Sequence, residues 1–199
     1  MIRFSLILPT VSRPTLAAAL LSLRGQDWRP GDEVLLVGDG PQETARLFWE
    51  QLGLPGRYLE TPAKMGSWGH GIRNWVNKLG HAKGTHLLNL DDDDAYRPGA
   101  IAAVREALTE DPHRPHLFRM FTAHDGRTLW RERSIEHGNL GTPCFVVPNT
   151  PGRLGEWAPY HGGDLAFLRG TLDHYPQGPV WREEVIADVW PAAVPRSSA

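Results

Sequence analysis

The chain has 199 residues, of which 41% are hydrophobic and 22% are charged, and this balance excludes wholesale disorder. Its 21 basic and 23 acidic residues give a net charge of −2, which argues against bulk electrostatic binding to nucleic acid or anionic membranes. Cys144 is the single cysteine, so the chain can form neither an intrachain disulfide nor a zinc site built from cysteines.

The length suits one domain, or one domain with a small appendage. No run of apolar residues reaches the roughly 18 that a membrane-spanning helix needs. The first residues enter a strand-like run without the basic region, long apolar core and small-residue cleavage site of a signal peptide. We therefore predict a soluble protein located in the cytoplasm.

Strand and helix patterns alternate in the first half of the chain. Short apolar runs predict strands at 4–8, 33–37 and 85–90, a weaker pattern predicts one at 57–60, and an apolar helical stripe follows each strand. The stripes are formed by Leu16, Ala19, Leu20 and Leu23; by Ala45, Phe48, Trp49 and Leu52; by Ile72, Trp75, Val76 and Leu79; and by Ile101, Val104 and Leu108. This alternation predicts a parallel sheet with helices on both faces and a ligand site outside the carboxyl ends of its strands.

The second half of the chain is less regular. We predict strands at 116–122 and 128–131, a long loop over 138–163 and a helix over 164–172. Loops of that length in compact domains often carry function. The tail from Pro191 is expected to be frayed.

Four consecutive aspartates, Asp91 to Asp94, directly follow the fourth predicted strand. Their carboxylates repel one another unless a cation lies among them, and hard cations such as Mg²⁺ and Mn²⁺ prefer oxygen ligands. In an extended turn Asp91 and Asp93 project to one side, so both can face one ion. The alternative is a solvated acidic turn in which Asp94 complements the dipole of the next helix.

Polar residues also follow the first two strands. After the first strand, Arg13 can pair with a phosphate or a carboxylate, or it can be a surface cation. Asp39, between two glycines, can accept hydrogen bonds from a base or a ribose, or it can form a turn. The segment 66–74 (GSWGHGIRN) carries three glycines, which let a backbone approach a ligand closely, and it places Arg73 near the same site.

Asp164 follows two glycines and opens the last predicted helix. It can act as a general base presented by a flexible loop, or it can cap the helix. His161 and His174 flank this segment, although the nine histidines of the chain show no spacing typical of a metal site. Trp157 and Tyr160 can stack on a sugar or a base, or they can be ordinary core and loop aromatics.

Four stretches resemble, in order and spacing, the family 2 glycosyltransferases, which are nucleotide-sugar enzymes of the GT-A fold. They are 4–13 (FSLILPTVSR), 33–40 (EVLLVGDG), 66–74 and 88–98 (LNLDDDDAYRP). The later Gly162-Gly163-Asp164 is similar to the Glu-Asp segment of that family. The resemblance implies an α/β fold, with a Rossmann-like, mostly parallel sheet flanked by helices and a small irregular C-terminal acceptor or lid region.

The resemblance also implies a metal-dependent enzyme that moves a sugar from a nucleoside-diphosphate sugar, UDP-linked in our prediction, to an acceptor hydroxyl. Asp39 matches the residue that recognises the base or ribose, and Asp164 matches the catalytic base of inverting members. The aspartates match the DxD motif. The predicted nucleotide-sugar contacts are Pro9, Thr10, Arg13, Asp39, Gly66, Arg73, Asp91 and Asp92. The predicted ligands of Mn²⁺ or Mg²⁺ are Asp93, Asp91 and His174.

Residues 1–110 are then expected to form the half that binds the nucleotide sugar, and residues 111–199 the acceptor-side half of the same domain. The sequence departs from the family at Gly38, where Asp is usual, and at Gly163, where Glu is usual. The second departure favours, as an alternative, a non-catalytic nucleotide- or carbohydrate-binding module. A nucleotidyltransferase is a further alternative, although residues 9–12 (PTVS) poorly match the basic, glycine-rich loop that it needs.

The acceptor stays open among a glycan, a lipid-linked sugar, a small metabolite, a protein and a modified nucleobase. The net charge of −2 gives no support for a nucleic acid. The lack of a long apolar run gives none for a lipid embedded in a membrane.

Overall fold

Strands and helices alternate through the first 110 residues of the computed structural model, which describes residues 1–190. The strands of this half are β1 (Phe4–Thr10), β2 (Glu33–Gly38), β3 (Gly56–Glu60), β4 (His86–Asn89) and β5 (Asp94–Tyr96). Its helices are α1 (Leu16–Arg24), α2 (Glu43–Leu52), α3 (His70–Lys78) and α4 (Ala100–Glu110). The second half contains β6 (His116–Thr122), β7 (Arg127–Leu129), β8 (Phe145–Pro148), α5 (Gly163–Leu172) and β9 (Val180–Val189).

The strands of both halves join one sheet, in the order β3-β2-β1-β4-β8-β6-β9-β5, with β7 paired to β6. The strands β3, β2, β1 and β4 are parallel, so their carboxyl ends lie at one edge, as the sequence predicted. Every residue of β1 and β2 is buried, as is typical of apolar strands covered on both faces. Beyond β4 the sheet is mixed, because β8 runs antiparallel to both of its neighbours.

The predicted apolar stripes agree with the structure for α1 and α4 but not throughout α2 and α3. All four stripe residues of α1 are buried. In α2 only Ala45 is buried and Phe48 is 39% exposed, because this helix covers the outer strands β2 and β3, where the sheet ends. Leu79 is 60% exposed because it lies beyond the end of α3.

The predicted loop over 138–163 is wrong in part, because it contains β8 and a 3₁₀ turn at Thr142–Cys144. The sequence analysis also missed β5 and β9, which pair with each other from distant parts of the chain. The frayed tail predicted from Pro191 lies outside the described residues. No helix within residues 1–190 is long and apolar enough to cross a membrane.

Candidate functional site

The polar residues that follow the parallel strands meet at the carboxyl edge of the sheet. Thr10 ends β1, Asp39 follows β2, and the four aspartates follow β4. The second half of the chain adds the start of α5. Asp164 lies there, close enough to Asp91 for the charge of Asp91 to act on its carboxyl group. The fold therefore brings the predicted acid cluster and the predicted base into one site.

The four aspartates alternate between partly exposed and buried positions. Asp91 and Asp93 are partly exposed, whereas Asp92 and Asp94 are 5% and 3% exposed. Asp91 to Asp94 form a turn closed by the hydrogen bond from the N–H of Asp94 to the carbonyl oxygen of Asp91 at 3.1 Å, and in this turn Asp91 and Asp93 are the two more exposed carboxylates. Two carboxylates therefore face the site and two face the interior.

Two arginines pair with the carboxylates that face the site. Nη2 of Arg73 lies 2.6 Å from Oδ1 of Asp91, and Nη1 of Arg13 lies 2.9 Å from Oδ2 of Asp93. Burial raises the pKa of Asp93, and the charge of Asp91 raises it further while Arg13 lowers it. The side chain of Arg13 is 41% exposed, so Arg13 can leave Asp93 when a ligand arrives.

Three residues that were predicted to contact the ligand form hydrogen bonds with protein groups beneath the surface of the site. The side chain of Arg73 is fully buried, and its Nε donates to Oδ1 of Asn89 at 3.2 Å. Oγ1 of Thr10 is also buried and donates to Oδ2 of Asp92 at 2.8 Å, so these two side chains hold each other below the surface. Their side chains are engaged with protein groups in this structure, and the prediction that Arg73, Thr10 and Asp92 touch the nucleotide sugar stays a prediction.

The glycine-rich segment lies directly on the end of β1. A Cβ atom on Gly69 would lie 2.7 Å from Cβ of Pro9, so only glycine allows this approach. Pro9 is buried beneath the segment, which corrects its prediction as a ligand contact. Gly66 remains exposed, as a ligand contact requires.

Asp39 holds the start of the glycine-rich segment. Its two carboxylate oxygens accept hydrogen bonds from the backbone N–H groups of Met65 at 2.5 Å and Gly66 at 3.0 Å. The residue is 5% exposed. Asp39 therefore has a structural role that the sequence did not reveal, in addition to its predicted contact with a base or ribose.

Asp39→Ala is expected to weaken UDP binding and to lower the free energy of unfolding, each by about 1–3 kcal/mol, because the N–H groups of Met65 and Gly66 lose a charged acceptor. Calorimetric titration with UDP and urea denaturation measure the two effects. Glu43→Ala, an exposed acid on α2, is the matched control. Unchanged UDP affinity would contradict the assignment, and an equal loss for pyrophosphate would assign Asp39 to the phosphates.

Gly163 has no room for the glutamate that is usual at its position. A Cβ atom there would lie 2.0 Å from the carbonyl oxygen of Ala158 and 2.7 Å from Nδ1 of His70. The imidazole of His70 thus lies against Gly163, beside Asp164. The departure from the family pattern is a packing change around this histidine.

His70 is a site residue that sequence analysis missed, because it was one of nine scattered histidines. It is 5% exposed, and its Nδ1 lies 2.7 Å from the carbonyl oxygen of Ala158. A carbonyl only accepts hydrogen bonds, so Nδ1 carries the proton. Burial lowers the pKa of His70, which favours the neutral ring with Nε2 as a hydrogen-bond acceptor.

Asp164 lies in the first turn of α5, after the N-cap residue Gly162. Its Oδ1 accepts a hydrogen bond from the N–H of Leu165 at 2.8 Å. Burial raises the pKa of Asp164, and the charge of Asp91 raises it further. Because Gly162 occupies the cap position, the alternative in which Asp164 caps the helix is not supported.

His174 is not brought together with the aspartates. It is exposed and follows the C-terminal end of α5, whereas Asp164 lies at the other end, about 15 Å away along a helix of ten residues. Its prediction as a metal ligand is corrected on this ground. Trp157 is 2% exposed, which agrees with the alternative that it is a core aromatic, whereas Tyr160 is 56% exposed.

Asp94 is a buried carboxyl whose pKa is raised well above its ordinary value by burial and by the charges of Asp91 and Asp93. Its Oδ1 accepts the N–H of Trp190 at 3.1 Å, a bond that asparagine can keep. A group with a raised pKa in the folded state favours folding below its unfolded pKa and loses that advantage as the pH rises through the folded pKa.

Asp94→Asn is therefore expected to raise the melting temperature at pH 7.5, by about 2–4 °C for each kcal/mol gained. The gain should shrink as the pH falls below about 4, the ordinary aspartate pKa, because the carboxyl then becomes protonated in the unfolded state as well. Asp111→Asn is the control. It is expected to lower the melting temperature at pH 7.5, because the hydrogen bond from Arg114 lowers the pKa of Asp111. A lower melting temperature for Asp94→Asn at pH 7.5 would contradict this account of the cluster.

The chain matches the sequence profile described as glycosyl transferase family 2 over residues 5–160. Its fold is similar to S. aureus TarS, with a TM-score of 0.73 and 18% identity, covering 94% of this chain and 36% of TarS. S. aureus TarS 1–349 in complex with UDP-GlcNAc gives a TM-score of 0.75 and 17% identity, covering 99% of this chain and 60% of that one. No curated protein matches the chain with significance.

A third similar structure is the mannosyltransferase PcManGT from Pyrobaculum calidifontis in complex with GDP-Man and Mn²⁺. Its TM-score is 0.65 and its identity 15%, covering 92% of this chain and 55% of that one. The chain thus spans less than two thirds of each of these three structures. The predicted GT-A-like α/β fold is confirmed.

Proposed function

The chain belongs to glycosyl transferase family 2, and on this basis we propose that it moves a sugar from a nucleoside-diphosphate sugar to the hydroxyl group of an acceptor. The observation that carries the proposal is the shared site of Asp91, Asp93 and Asp164. Two carboxylates lie at the end of β4, and the third lies on α5. Transfer needs one group of carboxylates near the diphosphate and another carboxylate near the attacking hydroxyl.

We propose a UDP-sugar as the donor. Arg13 is exposed enough to exchange Asp93 for a phosphate, and Asp39 keeps lone pairs for the nucleoside because a carboxylate can accept about four hydrogen bonds. The exposed backbone of Gly66 allows a ligand to approach closely. The similar structures that hold UDP-GlcNAc and GDP-Man support a nucleotide sugar.

The carboxylates that face the site fit a divalent cation. Within residues 1–190 no three His, Cys, Asp or Glu side chains are grouped to hold a metal ion. Mg²⁺, however, is usually bound by one or two carboxylates together with substrate phosphates, so two protein ligands suffice. We assign these roles to Asp93 and Asp91, for Mn²⁺ or Mg²⁺. When bound, the ion would neutralise charge on the departing diphosphate.

Asp164 is the proposed general base on the acceptor side. It takes the proton of the acceptor hydroxyl while the hydroxyl oxygen bonds to the anomeric carbon of the donor sugar. The bond from that carbon to the diphosphate oxygen breaks, and the diphosphate keeps the electron pair. Attack from the face opposite the diphosphate gives inversion. A raised pKa makes the Asp164 carboxylate a stronger base than an ordinary aspartate.

The alternative of a non-catalytic module rested on Gly163. The structure gives that glycine a packing reason, and Asp164 keeps its place beside the cluster. The transferase is therefore the better-supported proposal. The division into a donor half and an acceptor half, and a cytoplasmic location, stay predictions from the sequence.

Calorimetric titration of UDP, GDP and pyrophosphate, each with and without Mn²⁺, tests the donor side of the proposal. We expect UDP to bind more tightly than pyrophosphate, with Mn²⁺ increasing the affinity for both. Absence of binding by either nucleotide, in protein shown to be folded by its circular dichroism, would overturn the proposed function.

A further inference from the structure

We propose that the acceptor is a neutral pyranoside, which stacks on the indole of Trp68 and donates a hydroxyl hydrogen bond to Nε2 of His70. The inference rests on the proposed function, since it names the acceptor class of the same site. It assigns roles to two side chains beside Asp164.

The first observation is the exposure of Trp68 and its strained backbone. Its indole is 60% exposed, although a side chain of this size is usually mostly buried. Its ring centroid lies 6.2 Å from that of His161, three residues before Asp164, in an edge-to-face arrangement. Trp68 and its neighbour Ser67 have φ values of 53° and 54°, a left-handed conformation that costs a non-glycine residue about 1–3 kcal/mol. Strain retained at an exposed aromatic residue indicates a functional position.

The chemistry of an exposed indole favours a sugar. The face of the ring carries negative charge, and the C–H groups on one face of a pyranose carry partial positive charge and form a flat apolar surface. Tyr160, four residues before Asp164, is a second exposed ring at 56%.

Charge favours a neutral acceptor over an anionic one. The segment 131–137 lies beside this surface, because the rings of His137 and His161 are 5.5 Å apart. Its two arginines are balanced by two glutamates, and Arg169, which donates to the carbonyl oxygen of Ile135 at 2.8 Å, is offset by Asp164 on the same helix, so there is no excess of positive charge for a phosphate. The charged side chains of the segment are Arg131, Glu132, Arg133 and Glu136.

His70 is the second, independent observation. Its ring lies between those of Trp68 and Trp157, with centroid distances of 6.3 Å and 5.5 Å. Nδ1 is held by the carbonyl of Ala158, and Nε2 has no hydrogen-bond partner within residues 1–190. Nε2 is open to solvent although the residue is 5% exposed, and as the acceptor nitrogen of a neutral ring it can take a hydrogen bond from a hydroxyl group of a ligand. An apolar face together with a ring of hydroxyl groups is the chemistry of a pyranose.

The test is a titration of the methyl glycosides of glucose, galactose, mannose and N-acetylglucosamine into the protein saturated with UDP and Mn²⁺. We expect at least one glycoside to bind and Trp68→Ala to weaken its binding about tenfold, the scale of one aromatic contact. Trp68→Phe keeps a stacking face and should recover most of the affinity. Phe48→Ala, which removes an exposed aromatic on α2, is the matched control and should change nothing.

His70→Asn separates hydrogen bonding to the ligand from support of the loop. The asparagine amide can still donate to the carbonyl of Ala158, but it has no counterpart of Nε2. We expect about a tenfold loss of glycoside affinity with UDP affinity unchanged within about twofold, the scale of one hydrogen bond. Wild-type glycoside affinity in His70→Asn or Trp68→Ala would overturn the proposal.

Two further outcomes would also overturn it. One is failure of every glycoside to bind to wild-type protein that binds UDP. The other is preferential binding of glycerol 3-phosphate or ribitol 5-phosphate, which would show an anionic polyol acceptor. Failure of the proposed function itself is distinguishable, because the wild-type protein would then either not bind UDP or bind UDP-sugars without transferring or hydrolysing them.

Discussion

Asp164→Asn is expected to lower the turnover number by about 10²–10⁴, the usual contribution of a positioned general base, while donor affinity stays within about twofold. Asparagine keeps the size of the side chain and an oxygen for the N–H of Leu165, so the start of α5 should be preserved. The diphosphate is assigned to groups on other elements of the fold. Turnover and UDP-sugar affinity are measured on the same preparation.

The pH profile supplies the control for this variant. The base must be deprotonated, so activity is present above its pKa and is lost as the pH falls through it. Because burial raises the pKa of Asp164, the wild-type acid limb should lie above the value of about 4 for an ordinary aspartate. Asp164→Asn should lack this limb. A variant with full turnover would place the base elsewhere, with His161 the next residue to test.

Asp93→Ala is expected to remove most of the metal-dependent part of UDP affinity, by more than about tenfold, while the fold survives. Asp93 faces the site and is the proposed ligand beside Asp91. Its pairing partner Arg13 is exposed and can turn to solvent, so the variant leaves no buried charge unpaired. Titration of UDP with and without Mn²⁺ measures the metal-dependent part directly.

Asp27→Ala is the matched control, since it removes an exposed carboxylate that pairs with Arg29 on the surface. It should bind UDP like the wild-type protein at every Mn²⁺ concentration. Unchanged metal dependence in folded Asp93→Ala would refute the assignment of Asp93, and an equal loss without metal would assign it to the nucleotide.

The parallel strands of the first 110 residues could be predicted because their signals are local. β1, β2 and β4 contain short apolar runs, and a polar residue after each lies at the carboxyl edge whatever the rest of the chain does. The aspartates themselves form a turn, closed by the hydrogen bond from the N–H of Asp94 to the carbonyl oxygen of Asp91, and that turn is not specified by a strand pattern. β8 could not be predicted, because its four residues form a strand only through pairing with β4 and β6.

The roles of the side chains depended on contacts that sequence does not display. Asp39 follows β2 but accepts hydrogen bonds from the N–H groups of Met65 and Gly66, which follow β3. Arg73 is fully buried beneath Asp91. The sequence left Trp157 open between a stacking residue and a core aromatic, and its ring is buried against Phe167 at a centroid distance of 4.5 Å. Trp68, which is exposed, was overlooked because burial is decided by the tertiary packing of each ring.

Release of nucleoside diphosphate from a panel of UDP- and GDP-sugars, with Mn²⁺ and the methyl glycosides present, tests the central claim most directly. The account predicts that at least one UDP-sugar is consumed, that the sugar appears on the glycoside with inverted anomeric configuration by NMR, and that Asp164→Asn is slower by about 10²–10⁴. Tight binding of UDP-sugars without any transfer or hydrolysis, equal for the wild-type protein and Asp164→Asn, would contradict it and favour a binding module.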